Sequence, residues 1–109
     1  MTTYKLGDVV LLIFPHTDLA AISKRPAVVI YDSSDQDVLV ARVTAQEYAS
    51  EADYKLVEWR NCGLLAESYV RLGKQATVGK HLVVRQLGRL ETQDKENLKT
   101  TLKKILCLG

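Results

Sequence analysis

The chain is poor in the residues from which disulfide frameworks and metal clusters are built. Two cysteines, Cys62 and Cys107, and two histidines, His16 and His81, are all it has. The cysteines are neither spaced as a ligand pair nor part of a dense framework, so they read as reduced thiols, a disulfide between them being the lesser alternative. Zinc is disfavoured with so few partners. Only two prolines and no Ser- or Gln-rich tract occur, which argues against disorder away from the termini. No segment approaches the roughly eighteen uninterrupted apolar residues of a membrane span. Met1 to Leu6 leads straight into a strand, with no signal peptide. A cytoplasmic location without membrane attachment is therefore expected. Also missing are a Walker loop, a Gly-rich dinucleotide fingerprint, His-Glu-x-x-His and Gly-x-Ser-x-Gly, so nucleotide-dependent and metalloprotease chemistries drop out.

What is present is 109 residues, 47% of them apolar, enough for one core and not for two, so residues 1–109 read as a single domain. The net charge of +2 is small, but the charges are segregated. Between Asp32 and Glu58 the acids Asp32, Asp35, Asp37, Glu47, Glu51, Asp53 and Glu58 outnumber Arg42 and Lys55. Between Arg60 and Leu90 the balance reverses, with Arg60, Arg71, Lys74, Lys80, Arg85 and Arg89 against Glu67. The second stretch could face phosphates, or both could be solvated faces.

Short apolar runs carry the fold signal. Val9 to Phe14, closed by Pro15, and Ala27 to Tyr31 suit buried strands. The connection from Pro15 to Lys24 is longer than a tight hairpin, and such loops are often functional. Val38 to Thr44 alternates, with Leu39, Ala41 and Val43 on one face and Arg42 and Thr44 on the other. Tyr54 to Trp59 reads as a further strand, Asn61-Cys62-Gly63 as a turn, and Ser68 to Leu72 as another alternating strand. Ala76 to Leu90 fits a short strand, a helical turn and a second strand. A helix follows, with Thr92 as N-cap, acids early, lysines late, and Leu98, Leu102, Ile105 and Leu106 forming one apolar stripe. The expected fold is mainly β with a C-terminal helix, a small barrel-like sheet.

Two histidines could form an acid/base pair of the kind that cleaves phosphodiesters. His16 and His81 lie too far apart in sequence for spacing to say so. A composite pattern says more. Gly7-Asp8-Val9-Val10, Phe14-Pro15-His16-Thr17-Asp18-Leu19, Lys24-Arg25-Pro26-Ala27-Val28-Val29-Ile30 and the strand ending Val43-Thr44 occur in that order. Ser68-Tyr69-Val70-Arg71-Leu72, Leu87-Gly88-Arg89-Leu90 and the leucine-rich helix follow. Together these resemble the PemK/MazF family of toxin-antitoxin endoribonucleases over nearly the whole chain.

The resemblance implies a homodimeric SH3-like barrel that cleaves single-stranded RNA without a metal or other cofactor. It implies 2′-hydroxyl attack leaving a 2′,3′-cyclic phosphate and a 5′-hydroxyl, and neutralisation by a cognate antitoxin. Arg25 corresponds to the family's arginine before proline and Thr44 to its hydroxyl residue at the end of the third strand, both catalytic. His16 is a candidate auxiliary acid/base, and Thr17, Lys24, Gln46 and Arg85 are candidate RNA contacts. Where the family often has serine after the threonine, this chain has Ala45 followed by Gln46. That departure bears on specificity. A second reading keeps the barrel without catalysis, as an RNA-binding module, a CcdB-type gyrase poison or a degenerate toxin.

Overall fold

The computed structural model describes residues 2–15 and 22–107. The apolar runs form strands β1 (Asp8–Pro15), β2 (Ile22–Tyr31) and β3 (Asp37–Thr44), followed by a short β4 (Asp53–Lys55). A 3₁₀ turn (Trp59–Cys62) precedes the long β5 (Tyr69–Gly79), and a second 3₁₀ turn (Lys80–Leu82) leads into β6 (Val83–Arg89). Helix α1 (Thr92–Ile105) ends the order. The strands make one antiparallel sheet, β4-β5-β3-β2-β1-β6. Among the described residues no helix is long and apolar enough to cross a membrane.

Strands β1 and β2 bury side chains on both faces, which is why their sequences carry continuous apolar runs. One face carries Val9, Val28, Ala41, Val43 and Val70, packed against Leu56, Cys62 and the helix residue Leu98. The other carries Val10, Leu12, Ala27, Val29, Val38 and Val40 under Tyr4, Val78 and Val83. We call these the helix face and the outer face.

Several sequence expectations are corrected. Strand β2 starts well before Pro26, so Lys24 and Arg25 belong to a strand and pair with Ile13 and Leu12 of β1. The β3 ladder to β2 ends at Ala27, beside Pro26, which has no N–H to give. The Tyr54–Trp59 strand shrinks to Asp53–Lys55, because the amides of Val57 and Glu58 bond elsewhere. Thr92 is the first helical residue and not the cap; Glu91 occupies the cap position, without a side-chain bond. Leu106 lies past the helix and is 53% exposed, so the apolar stripe reduces to Leu98, Leu102 and Ile105.

The amides lost to β4 are held by Asp94. This carboxylate, in the first turn of α1, is fully buried. It accepts from the Tyr54 hydroxyl at 2.6 Å, the Val57 amide at 3.0 Å and the Glu58 amide at 2.8 Å. Three donors justify burying the charge and tie the helix to the segment that carries the first 3₁₀ turn. Alanine at Asp94 leaves those donors without their acceptor. Its expected cost is about 3 kcal/mol or more, read as a fall in urea midpoint at unchanged slope.

Burial, reinforced by Asp94, pushes the Tyr54 hydroxyl up to about 12 and the Cys62 thiol up to about 11. Both groups are neutral in the fold and ionise more easily in the unfolded chain. Their stabilisation is therefore complete below about pH 9 and is lost as pH rises through about 12. Unfolding free energy should fall along this alkaline arm, and Tyr54→Phe should flatten its upper part.

Candidate active site

At one end of the sheet, residues from four strands line up across the ladder. Arg85 of β6 pairs with Leu11 of β1, which pairs with Pro26 of β2. The β2–β3 register that joins Ala27 to Arg42, continued by one residue, brings Val43 beside Pro26. This row floors a cleft of about 450 Å³ whose opposite wall is Gly63 to Ala66 with Ser68 and Leu87. The size suits a small ligand or one unit of a polymer.

The same register continued by two residues sets Arg25 opposite Thr44 at the rim, where β3 stops. Both residues contribute to the cleft, as does Arg85. Two of the arginines therefore flank an apolar floor with a threonine hydroxyl between strands. The Gln46 amide donates to Thr44 Oγ1 at 3.1 Å, which occupies one lone pair and leaves the hydroxyl proton to point elsewhere. Gln46 Oε1 in turn accepts from the Tyr48 hydroxyl at 3.2 Å.

Pairing with acids separates the useful cations from the structural ones. Asp32 lies 3.0 Å from Lys80, Asp53 lies 3.2 Å from Arg71, and Asp8 lies 3.5 Å from Arg89. Arg60 sits over the Trp59 ring. Half of the basic stretch, Arg71, Lys80 and Arg89, is thus paired with acids from elsewhere in the chain. Among the described residues Arg25 and Arg85 have no acidic partner, so their guanidinium charge is available to a ligand.

Of the candidates named from sequence, Arg25, Thr44 and Arg85 meet at the cleft. Gln46 is exposed and joins through its bond to Thr44. Lys24 is exposed on β2 and does not border the cleft. His16 and Thr17 lie outside the described residues. The wall from Leu64 to Ser68 was missed by sequence reasoning, although the apolar Leu64-Leu65 pair directly after a turn glycine was a signal. Leu65 is 98% exposed there.

The wall stands on two glycines. Gly63 has φ +89°, and a Cβ at that position would collide with the Leu87 carbonyl oxygen. A Cβ on Gly88 would lie 2.6 Å from the Cys62 carbonyl oxygen. The turn and β6 therefore touch backbone to backbone. Gly63→Ala should cost about 2 kcal/mol or more in thermal or urea unfolding, since it adds left-handed strain to the collision.

Comparison with known proteins bears on the fold and its family. A family model described as PemK-like, MazF-like toxin of type II toxin-antitoxin system matches residues 5–106. Among solved structures, the Mycobacterium tuberculosis toxin MazF-mt6 superposes with a TM-score of 0.77 at 16% identity, covering 94% of this chain and 98% of the other. An endoribonuclease in complex with its cognate antitoxin from a Mycobacterial species gives 0.76 at 18%, covering 95% of each. A MazE-MazF structure from Deinococcus radiodurans gives 0.74 at 15%, covering 97% of each. No curated protein sequence matches the chain. At these identities the structural likeness establishes the fold, and the barrel-like sheet with its terminal helix is the one expected from sequence.

Proposed function

From the premise that this chain belongs to the PemK-like, MazF-like toxin family of type II toxin-antitoxin systems, we propose that it is a metal-independent endoribonuclease acting on single-stranded RNA. The observation that carries this reading is the convergence of Arg25, Thr44 and Arg85 on one cleft, with neither arginine neutralised by an acid among the described residues.

The reaction needs little beyond these groups. The ribose 2′-oxygen attacks the adjacent phosphorus, forming the 2′-O–P bond as the P–O5′ bond breaks. One proton leaves the 2′-hydroxyl and one reaches the departing 5′-oxygen. A 2′,3′-cyclic phosphate and a 5′-hydroxyl result, and DNA, without the nucleophile, is spared. Arg25 offers two parallel N–H donors to the non-bridging oxygens and stays charged at any physiological pH. Thr44 adds a hydroxyl donor as charge builds, its orientation set by the Gln46 amide. Donors held in place in this way are each worth about 3 to 4 kcal/mol in the transition state. A guanidinium is a poor base in general, so Arg25 is a weak candidate for that role. His16 is the better-suited group in the adjoining segment.

We place the protein in a homodimer whose RNA surface is closed by an acidic antitoxin segment, carboxylates taking the place of phosphates. One of the solved relatives is an endoribonuclease held with its cognate antitoxin.

Purified protein incubated with a long single-stranded RNA in EDTA should generate fragments whose 5′ ends accept phosphate from a kinase without prior dephosphorylation. Arg25→Ala and Thr44→Ala should each lower kcat by roughly a hundred- to a thousand-fold. Equal cleavage by wild type and Arg25→Ala, or a requirement for a divalent ion, sinks the mechanism.

A further inference from the structure

The strand register extends the Arg25–Thr44 pair into a strip on the outer face. Thr44 pairs with Tyr69 of β5, and Tyr69 pairs with Lys55 of β4. One ladder row therefore reads Arg25, Thr44, Tyr69, Lys55. The next row reads Ala27, Arg42, Arg71, Asp53. Alternation puts both rows on the same side of the sheet, because Val43 and Val70 between them are buried against the helix face. Strands sit about 4.8 Å apart, so the first row spans roughly 14 Å from Arg25 to Lys55.

The strip's chemistry is uneven in a telling way. Arg42 and Lys55 are exposed and have no acidic partner among the described residues. Arg71 is different: its Nε donates to Asp53 Oδ1 at 3.2 Å, and its guanidinium lies 3.9 Å from the centroid of the Tyr48 ring. The second oxygen of Asp53 is buried and unpartnered among the described residues, so Arg71 is that carboxylate's main neutraliser. Tyr48 is thereby gripped on one ring face by Arg71 and at its hydroxyl by Gln46, yet remains 44% exposed. An exposed aromatic ring with one cation on its face, next to a strip with two cations that have no acidic partner among the described residues, is the pattern of a stacking platform with phosphate contacts.

We propose that this strip binds the stretch of RNA adjoining the scissile phosphate, Lys55 and Arg42 contacting phosphates and Tyr48 stacking a base, with Arg71 acting as a positioning residue for Tyr48. The proposal rests on the nuclease reading above and names the substrate subsite it requires. An acidic peptide would use the cations but would gain little from the ring.

The test is binding of a 2′-O-methyl oligonucleotide of about eight residues, which cannot be cleaved, followed by fluorescence anisotropy over a range of salt. Lys55→Glu and Arg42→Glu should each weaken binding about tenfold or more and reduce the log–log salt slope by about 0.7. Tyr48→Leu should weaken binding about tenfold with the slope unchanged, and Tyr48→Phe should recover most of it. Lys103→Glu, on α1, is the charge control and should stay within about twofold of wild type; thermal melts confirm that each variant is folded. Losses no greater than the control's, or wild-type protein that does not bind, overturn the proposal. So does equal weakening of poly-glutamate and RNA with no effect of Tyr48→Leu. Cleavage abolished by Arg25→Ala but unaffected strip variants would remove the strip and keep the nuclease. Strip-dependent binding with no cleavage by wild type would keep the strip and remove the nuclease.

Discussion

The buried carboxylate of Asp94 is the constraint on which the rest of the structure turns. A fully buried charge is unfavourable unless its lone pairs are filled, and here a hydroxyl and two backbone amides fill them. Satisfying Asp94 takes Val57 and Glu58 out of the sheet and ends β4 after three residues. The chain released from β4 turns through Trp59–Cys62 and lays its backbone on β6 at Gly63 and Gly88. That contact supplies the far wall of the cleft. A helix-to-loop tether therefore shapes a site to which Asp94 itself contributes no atom.

The site depends equally on charges disposed of elsewhere. Lys80, Arg71 and Arg89 are each matched by an aspartate remote in sequence. Among the described residues Arg25 and Arg85 are left without an acidic partner at the cleft, where a ligand phosphate would meet a field not already spent on the fold. The matched Arg71 also lies against the Tyr48 ring, 3.9 Å from its centroid. Packing and electrostatics are thus divided among cations of the same type by their partners.

Much of this was legible in the residues. The runs Val9–Phe14 and Ala27–Tyr31, the alternation of Val38–Thr44 and the leucine spacing of the last helix each named their element, because burial imposes periodicity directly on a sequence. The resemblance singled out Arg25 and Thr44, both of which border the cleft. Illegible parts were those decided by a remote partner. Nothing local says that Val57 and Glu58 give their amides to Asp94, that Thr92 yields the cap position to Glu91, or that Leu106 falls outside the packed stripe. The acidic and basic stretches were visible as composition, but their cancellation was not, since each pair joins segments distant along the chain.

By itself the amino-acid order determined which segments could be strands and that a helix follows them, because these follow from local periodicity and residue chemistry; the resemblance to the family marked Arg25 and Thr44. Tertiary structure alone decided that Arg25, Thr44 and Arg85 border one cleft, and that Tyr69, Lys55 and Arg42 share a side of the sheet with Thr44. Register is the physical reason: a ladder brings together residues from different strands, and a shift of one position would turn every one of them to the other side of the sheet.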